Sequence, residues 1–190
     1  ALAASVVFAL ASSACSRSAS VAELLTQARQ QVSGANLKAA EIQLKNAVQQ
    51  HPDNADARVL LGEVYFRLGS LDAAEEELQR ALDRQADKAH VMPLLARVWL
   101  RQGQMQRIVD EAKLAEDAEK ESSPEILVIR GSAYVALGKQ EDAANAFERA
   151  LAARPDYAEA LLGQAKLAVA GKNVERALEL SNQALSKDAK

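Results

Sequence analysis

ADARVLLGEVYFRLGSLDAAEEELQRALDRQA, residues 55–86, decides the fold. Leu61, Gly62 and Tyr65 fall at i, i+1 and i+4, so they share one face of a helix. Gly69 ends that helix, because glycine takes the left-handed turn that stops the hydrogen-bond ladder without steric cost. Ala74, Leu78 and Ala81 then mark one face of a second helix. The stretch reads as one helix–turn–helix unit with small residues where its two helices meet.

The unit recurs in both directions along the chain. Ala47, Ala81, Ala115, Ala150 and Ala184 are separated by 34, 34, 35 and 34 residues, and Ala40, Ala74, Ile108, Ala143 and Ala177 keep the same spacings. Gly62, Tyr65 and Gly69 return 69 residues later as Gly131, Tyr134 and Gly138. Two columns held over five units place the repeats at 21–54, 55–88, 89–123, 124–157 and 158–190. This pattern resembles the tetratricopeptide repeat, a helical hairpin of about 34 residues. A large side chain at Ala81 or Ala150 would push the paired helices apart. No single hairpin buries its apolar face alone, so stacked neighbours must complete the core. The expected fold is all-α, an α-solenoid of about five hairpins.

Composition agrees. The 190 residues are 49% hydrophobic and only 4% aromatic, which suits stacked helices and leaves little material for a β domain. A net charge of −3 argues against a nucleic-acid binder, which would carry a basic face.

Outward from the repeats, residues 1–14 (ALAASVVFALASSA) are uncharged and apolar. The run is too short to span a bilayer and resembles the core of a secretory signal peptide. Cys15, the one cysteine, follows directly and has no partner in the chain for a disulfide. Its setting resembles the lipobox of bacterial lipoproteins: Ala14 and Ser13 fit, and Ser12 stands where a leucine or valine is usual. That resemblance implies a lipid on Cys15, and Ser16 in place of Asp is compatible with outer-membrane sorting. The alternative is an ordinary signal sequence, or an apolar cap on the first unit. Residues 16–20 read as a tether, and the first helix opens over 21–32.

In the first unit Gly34 and Asn36 supply the turn, and 37–50 is a second helix with Ile42, Leu44 and Val48 inward. Pro52 ends it, as Pro155 ends the fourth unit. The third unit departs most. Pro93 stands where its first helix should already be running, so that helix is expected to start late, with Pro93 in its first turn. Its second helix, 105–120, ends in a charged run, and one extra residue near 121–124 suggests a longer, solvated joint where the stack flexes. The fifth unit shows no polar capping helix, which predicts further chain beyond Lys190.

No catalytic constellation is visible, no cofactor is implied, and a non-enzymatic protein is expected. His51 and His90 have no second histidine or cysteine at metal-ligand spacing, so each reads as a plain polar residue. Glu75, Glu76 and Glu77, and the acidic residues of 116–121, lie among Arg and Lys and read as a solvated face. Trp99, Tyr65 and Tyr134 share one column and read as core. What remains is a surface. In proteins resembling this fold the concave face is lined by the second, fifth, ninth and twelfth places of each first helix. Here those places include Arg29, Val32, Glu63, Phe66, Arg97, Leu100, Val135, Lys166 and Val169, with Arg101 beside them. Apolar patches with separated charges suit a groove for an extended or helical peptide of a protein partner; a merely solvated inner face is the other reading. The Lys and Asn clamp for chaperone C-termini is missing, with Val59 and Glu63 in its places. No small-molecule substrate is expected.

A narrower resemblance rests on residues 36–82 (NLKAAEIQLKNAVQQHPDNADARVLLGEVYFRLGSLDAAEEELQRAL) and 90–111 (HVMPLLARVWLRQGQMQRIVDE). These phrases resemble the N-terminal repeats of the PEP-CTERM/exosortase-system TPR lipoproteins called PrsT, over most of residues 1–123. The resemblance implies an envelope protein on the periplasmic side of a Gram-negative bacterium, anchored in the outer membrane. Its implied role is in exopolysaccharide production and sorting of PEP-CTERM proteins, with no catalytic residues to carry over. The alternative is an adaptor for outer-membrane protein or cell-wall assembly.

Overall fold

A computed structural model describes residues 20–116 and 123–188. They form ten α-helices and no strand: α1 Val21–Ser33, α2 Leu37–Gln50, α3 Ala55–Leu68, α4 Leu71–Asp83, α5 Lys88–Gln102, α6 Met105–Glu116, α7 Pro124–Ala136, α8 Gln140–Ala153, α9 Ala158–Ala170 and α10 Val174–Asp188. Local signals set most ends. Ser20 and Glu23 cap α1 reciprocally, while Asn36, Asn54 and Ser123 each accept from a backbone N–H in the first turn of α2, α3 and α7. Gly69 and Gly103 close α3 and α5 at φ of 80° and 77°, where a side chain would be strained.

Each odd-numbered helix pairs with the even-numbered helix that follows it, and each hairpin stacks on the next. The two alanine columns lie in these seams: Ala40, Ala47, Ala74, Ala81, Ala143 and Ala150 are all fully buried. The core passes from hairpin to hairpin without a break. Tyr65 packs against the clusters on both sides of α3, Tyr134 does so at α7, and Leu151 links the last two clusters. Trp99 is buried, whereas Tyr65 and Tyr134, its column-mates, are half-buried with cations over their rings.

Three local expectations are corrected. First, α5 does not start late: it begins at Lys88, capped by the Asp87 side chain, and Pro93 lies in its second turn. Proline there removes the N–H that would reach the Ala89 carbonyl; Ala89 is exposed, so water can satisfy that oxygen. Second, Ile42 points outward, 63% exposed, because it lies about 200° around α2 from the fully buried Leu44. Third, the acidic triplet is not one solvated face. Glu77 is buried and accepts from Arg58 Nη1 at 2.7 Å, while Arg58 Nε and Nη2 donate to the Pro52 carbonyl. Glu75 is half-buried and accepts from Trp99 Nε1 and Arg107, and only Glu76 is solvated. The expected flexible joint and most of the second acidic run lie outside the described residues; α7 packs Ile126, Ile129 and Ala133 into the same cluster as Ile108 and Val109.

Candidate peptide-binding groove

The inner side of the stack follows from which helices touch. Consecutive odd-numbered helices contact one another from α1 to α9, whereas no even-numbered helix contacts another among the described residues. The odd helices are therefore the crowded layer, on the inside of the curve, and the even helices splay on the outside. Every expected groove residue in the described chain lies on this inner layer. Cys15 lies outside the described residues.

The repeat turns that layer into columns. The twelfth places, Val32, Phe66, Leu100, Val135 and Val169, form one apolar row across five helices, half-buried until Val169, which is 62% exposed. The ninth places are Arg29, Glu63, Arg97, Ser132 and Lys166. Arg29, Glu63 and Lys166 make no ion pair with any described residue, and Arg29, Arg97 and Lys166 are exposed. Arg97 reaches Tyr157 only through its field, where it opposes burial, Glu159 and Glu125, which push the Tyr157 hydroxyl up.

The structure gathers part of the expected set into one trough. Arg29, Val32 and Glu63 line an open depression of about 570 Å³ between α1, α3 and the start of α5. Its floor is Val59 and Leu60, and Asp56, Arg67 and His90 complete its rim. Arg67 is held there by donating to the Val32 carbonyl at 3.3 Å. The neighbouring patch is built on Phe66, whose ring carries the Arg101 guanidinium at 5.0 Å while Arg101 Nη1 donates to the Phe66 carbonyl at 2.9 Å. Leu100 packs with Phe66 against the central core cluster. Val135 packs against the next cluster, and Lys166 and Val169 stand on α9 at the far end, so these do not join the trough.

Asp56, His90 and Arg67 line the trough although reading the sequence placed none of them in the groove. Asp56 and His90 occupy second places of their units, so the repeat register alone could have found them. His90, read as a plain helix-entry residue, faces the trough. Among the described residues no group of three or more His, Cys, Asp or Glu could hold a metal, and no described helix is long and apolar enough to cross a membrane. The geometry is that of an open, elongated surface.

An α-solenoid of helical hairpins with an open inner groove defines the class of repeat scaffolds. Two tetratricopeptide-repeat family models match residues 33–98 and 130–190, and the chain is a tetratricopeptide-repeat protein. Solved structures share the fold. TTC0263, a thermophilic TPR protein of Thermus thermophilus, is 21% identical with a TM-score of 0.74, over 90% of this chain and 93% of that one. MamA from Desulfovibrio magneticus RS-1 is 13% identical with a TM-score of 0.74, over 89% of this chain and 95% of that one. YrrB, described as a TPR protein with an unusual peptide-binding site, is 19% identical with a TM-score of 0.66, over 90% and 88%. No curated protein matches the chain.

Proposed function

We propose that the protein is a non-enzymatic scaffold whose inner groove holds an extended segment of a partner protein. The observation that carries this reading is the apolar row Val32, Phe66, Leu100, Val135 and Val169, which recurs at one register on all five inner helices with exposed Arg29, Arg97 and Lys166 beside it. Burying such a row against a ligand's side chains removes apolar surface from water along a path longer than any one hairpin. The fold's likeness to YrrB, itself described as having a peptide-binding site, agrees with this use of the surface.

The proposal extends to place and partners. Residues 1–15 support export and a lipid on Cys15, and with it anchoring on the periplasmic side of the outer membrane. The IQLKNA and PLLAR phrases support a role beside exopolysaccharide production and PEP-CTERM/exosortase protein sorting. A scaffold for outer-membrane protein or cell-wall assembly is the competing assignment, resting on the same anchor without those phrases. Radiolabelled palmitate tests the anchor: label absent from the full-length protein, or retained in Cys15→Ala, removes it. Crosslinking and pull-down from the native envelope tests the rest. Recovery of polysaccharide-export or exosortase components supports the assignment, and recovery of assembly factors transfers it to the competitor. Val135→Asn with Val169→Asn should reduce capture while circular dichroism stays helical; unchanged capture would contradict groove binding.

A further inference from the structure

Within the peptide-binding reading, on which this step rests, we infer that the groove selects an extended acidic segment with apolar side chains between its carboxylates. The ninth, twelfth and thirteenth places of the inner helices hold five cations, Arg29, Arg67, Arg97, Arg101 and Lys166, against one carboxylate, Glu63. The chain as a whole is acidic, at −3, so this face departs in sign from the rest of the molecule.

The five cations are not equivalent. Arg67 and Arg101 stand in the last turns of α3 and α5, where a positive charge is favoured by the helix dipole whatever the function. Their guanidiniums are nevertheless held over the groove by backbone carbonyls and form no ion pair with a carboxylate among the described residues. Arg29, Arg97 and Lys166 lie earlier in their helices, outside the last turn, and pair with no carboxylate among the described residues. Their common register on α1, α5 and α9 aims them at one path beside the apolar row. Apart from Glu63, the carboxylates of the inner helices stand nearer the N-terminal edge, Asp56, Glu125 and Glu159 at the second places and Glu23 at the third. Asp56 still rims the trough that Arg29 and Arg67 line. The second places lie about seven residues, or roughly 10 Å, before the ninth along each helix. The groove is therefore polarised across its width.

Helix spacing sets the ligand's repeat. Neighbouring packed helices lie about 8–10 Å apart, so successive cations of the Arg29, Arg97 and Lys166 set are roughly 16–20 Å apart. An extended chain covers that in about five or six residues at roughly 3.3 Å each. Acidic residues at that interval would meet the cations, and apolar residues between them would meet Val59, Phe66, Leu100 and Val135. Glu63 interrupts the row and would disfavour a carboxylate at its own position.

The test is fluorescence anisotropy with the full chain and a labelled peptide in which three glutamates stand about six residues apart, with leucine and serine between. The control peptide carries lysine in place of glutamate. The glutamate peptide should bind, and Arg29→Glu with Arg97→Glu should weaken it roughly tenfold, with the affinity falling as salt rises. Glu63→Lys should tighten it a few-fold. Equal or better binding of the lysine peptide overturns the inference, as does an unchanged affinity in the charge-reversed variant. If neither peptide binds, the acidic specificity is wrong; the envelope capture by Val135→Asn with Val169→Asn then decides separately whether the groove is used.

Discussion

Gly131→Ala should destabilise the protein even though alanine is the better helix former. Gly131 lies inside α7, where replacing glycine with alanine ordinarily gains about 1 kcal/mol. Here the added methyl would stand 2.6 Å from Phe147 Cε1 and 2.8 Å from both Cδ1 and Cζ, far inside the ~3.5–4.0 Å of favourable contact. Phe147 is only 1% exposed, and the same ring edge is packed on Gly163 of α9, so it has no free direction in which to yield. Overpacking of this kind costs about 1–3 kcal/mol, and three overlapping ring carbons place it near the upper end. After the propensity gain, a net loss of about 1–2 kcal/mol remains, or roughly 2–8 °C in melting temperature for a chain of this size. Urea and thermal unfolding followed by circular dichroism would measure it. Phe147→Leu should cost less in the Gly131→Ala background than in the parent, because it vacates the space the methyl needs. A variant more stable than the parent by the full helix-propensity gain would refute the packing argument.

Other perturbations separate the remaining contributions. Glu77→Ala strands the buried Arg58 guanidinium and should cost about 3 kcal/mol in urea unfolding, whereas Arg58→Met with Glu77→Leu should be close to neutral. Pro93→Ala restores the N–H that α5 lacks in its second turn and should raise stability by about 1 kcal/mol or more. For Glu75, burial raises the carboxyl's pKa, but donors on Trp99, Gln102 and Arg107 outweigh it and hold the value below the usual glutamate range. Its contribution is therefore present above the unfolded-state value of about 4.3 and lost as pH falls through the folded value. Glu75→Gln should lower stability at neutral pH, and the difference from the parent should vanish in acid; a difference independent of pH would contradict this.

The architecture is legible in the sequence because it rests on spacing. Ala47, Ala81, Ala150 and Ala184 mark positions where only a small residue lets two helices meet, and the structure buries each of them. What escapes such a reading is contact between residues far apart in the chain. The register puts Glu77 on the face of Ala74 and Ala81 and Glu76 away from it, but nothing local shows that α3 brings Arg58 there to neutralise the buried carboxylate. Ile42 fails for a local reason, since an isoleucine among inward residues counts as inward only until its angle around α2 is followed. Pro93 suggests its usual place at a helix start, whereas the Asp87 cap and the exposed Ala89 carbonyl let α5 begin a turn earlier. At the groove, the repeat register supplies the rows, but which members share a trough depends on how α1, α3 and α5 come together. Register puts His90 on the inner face, but that it shares a trough with Arg29 and Glu63 follows from that packing.

The most direct test of the groove as a partner-binding surface is site-specific photocrosslinking in the native envelope. A benzoylphenylalanine would replace Val169 on the inner layer in one strain and Ile42 on the outer helix α2 in another, both positions being more than half exposed. The account predicts discrete protein adducts from Val169, and none of those adducts from Ile42. Adducts from Ile42 with none from Val169 would contradict it.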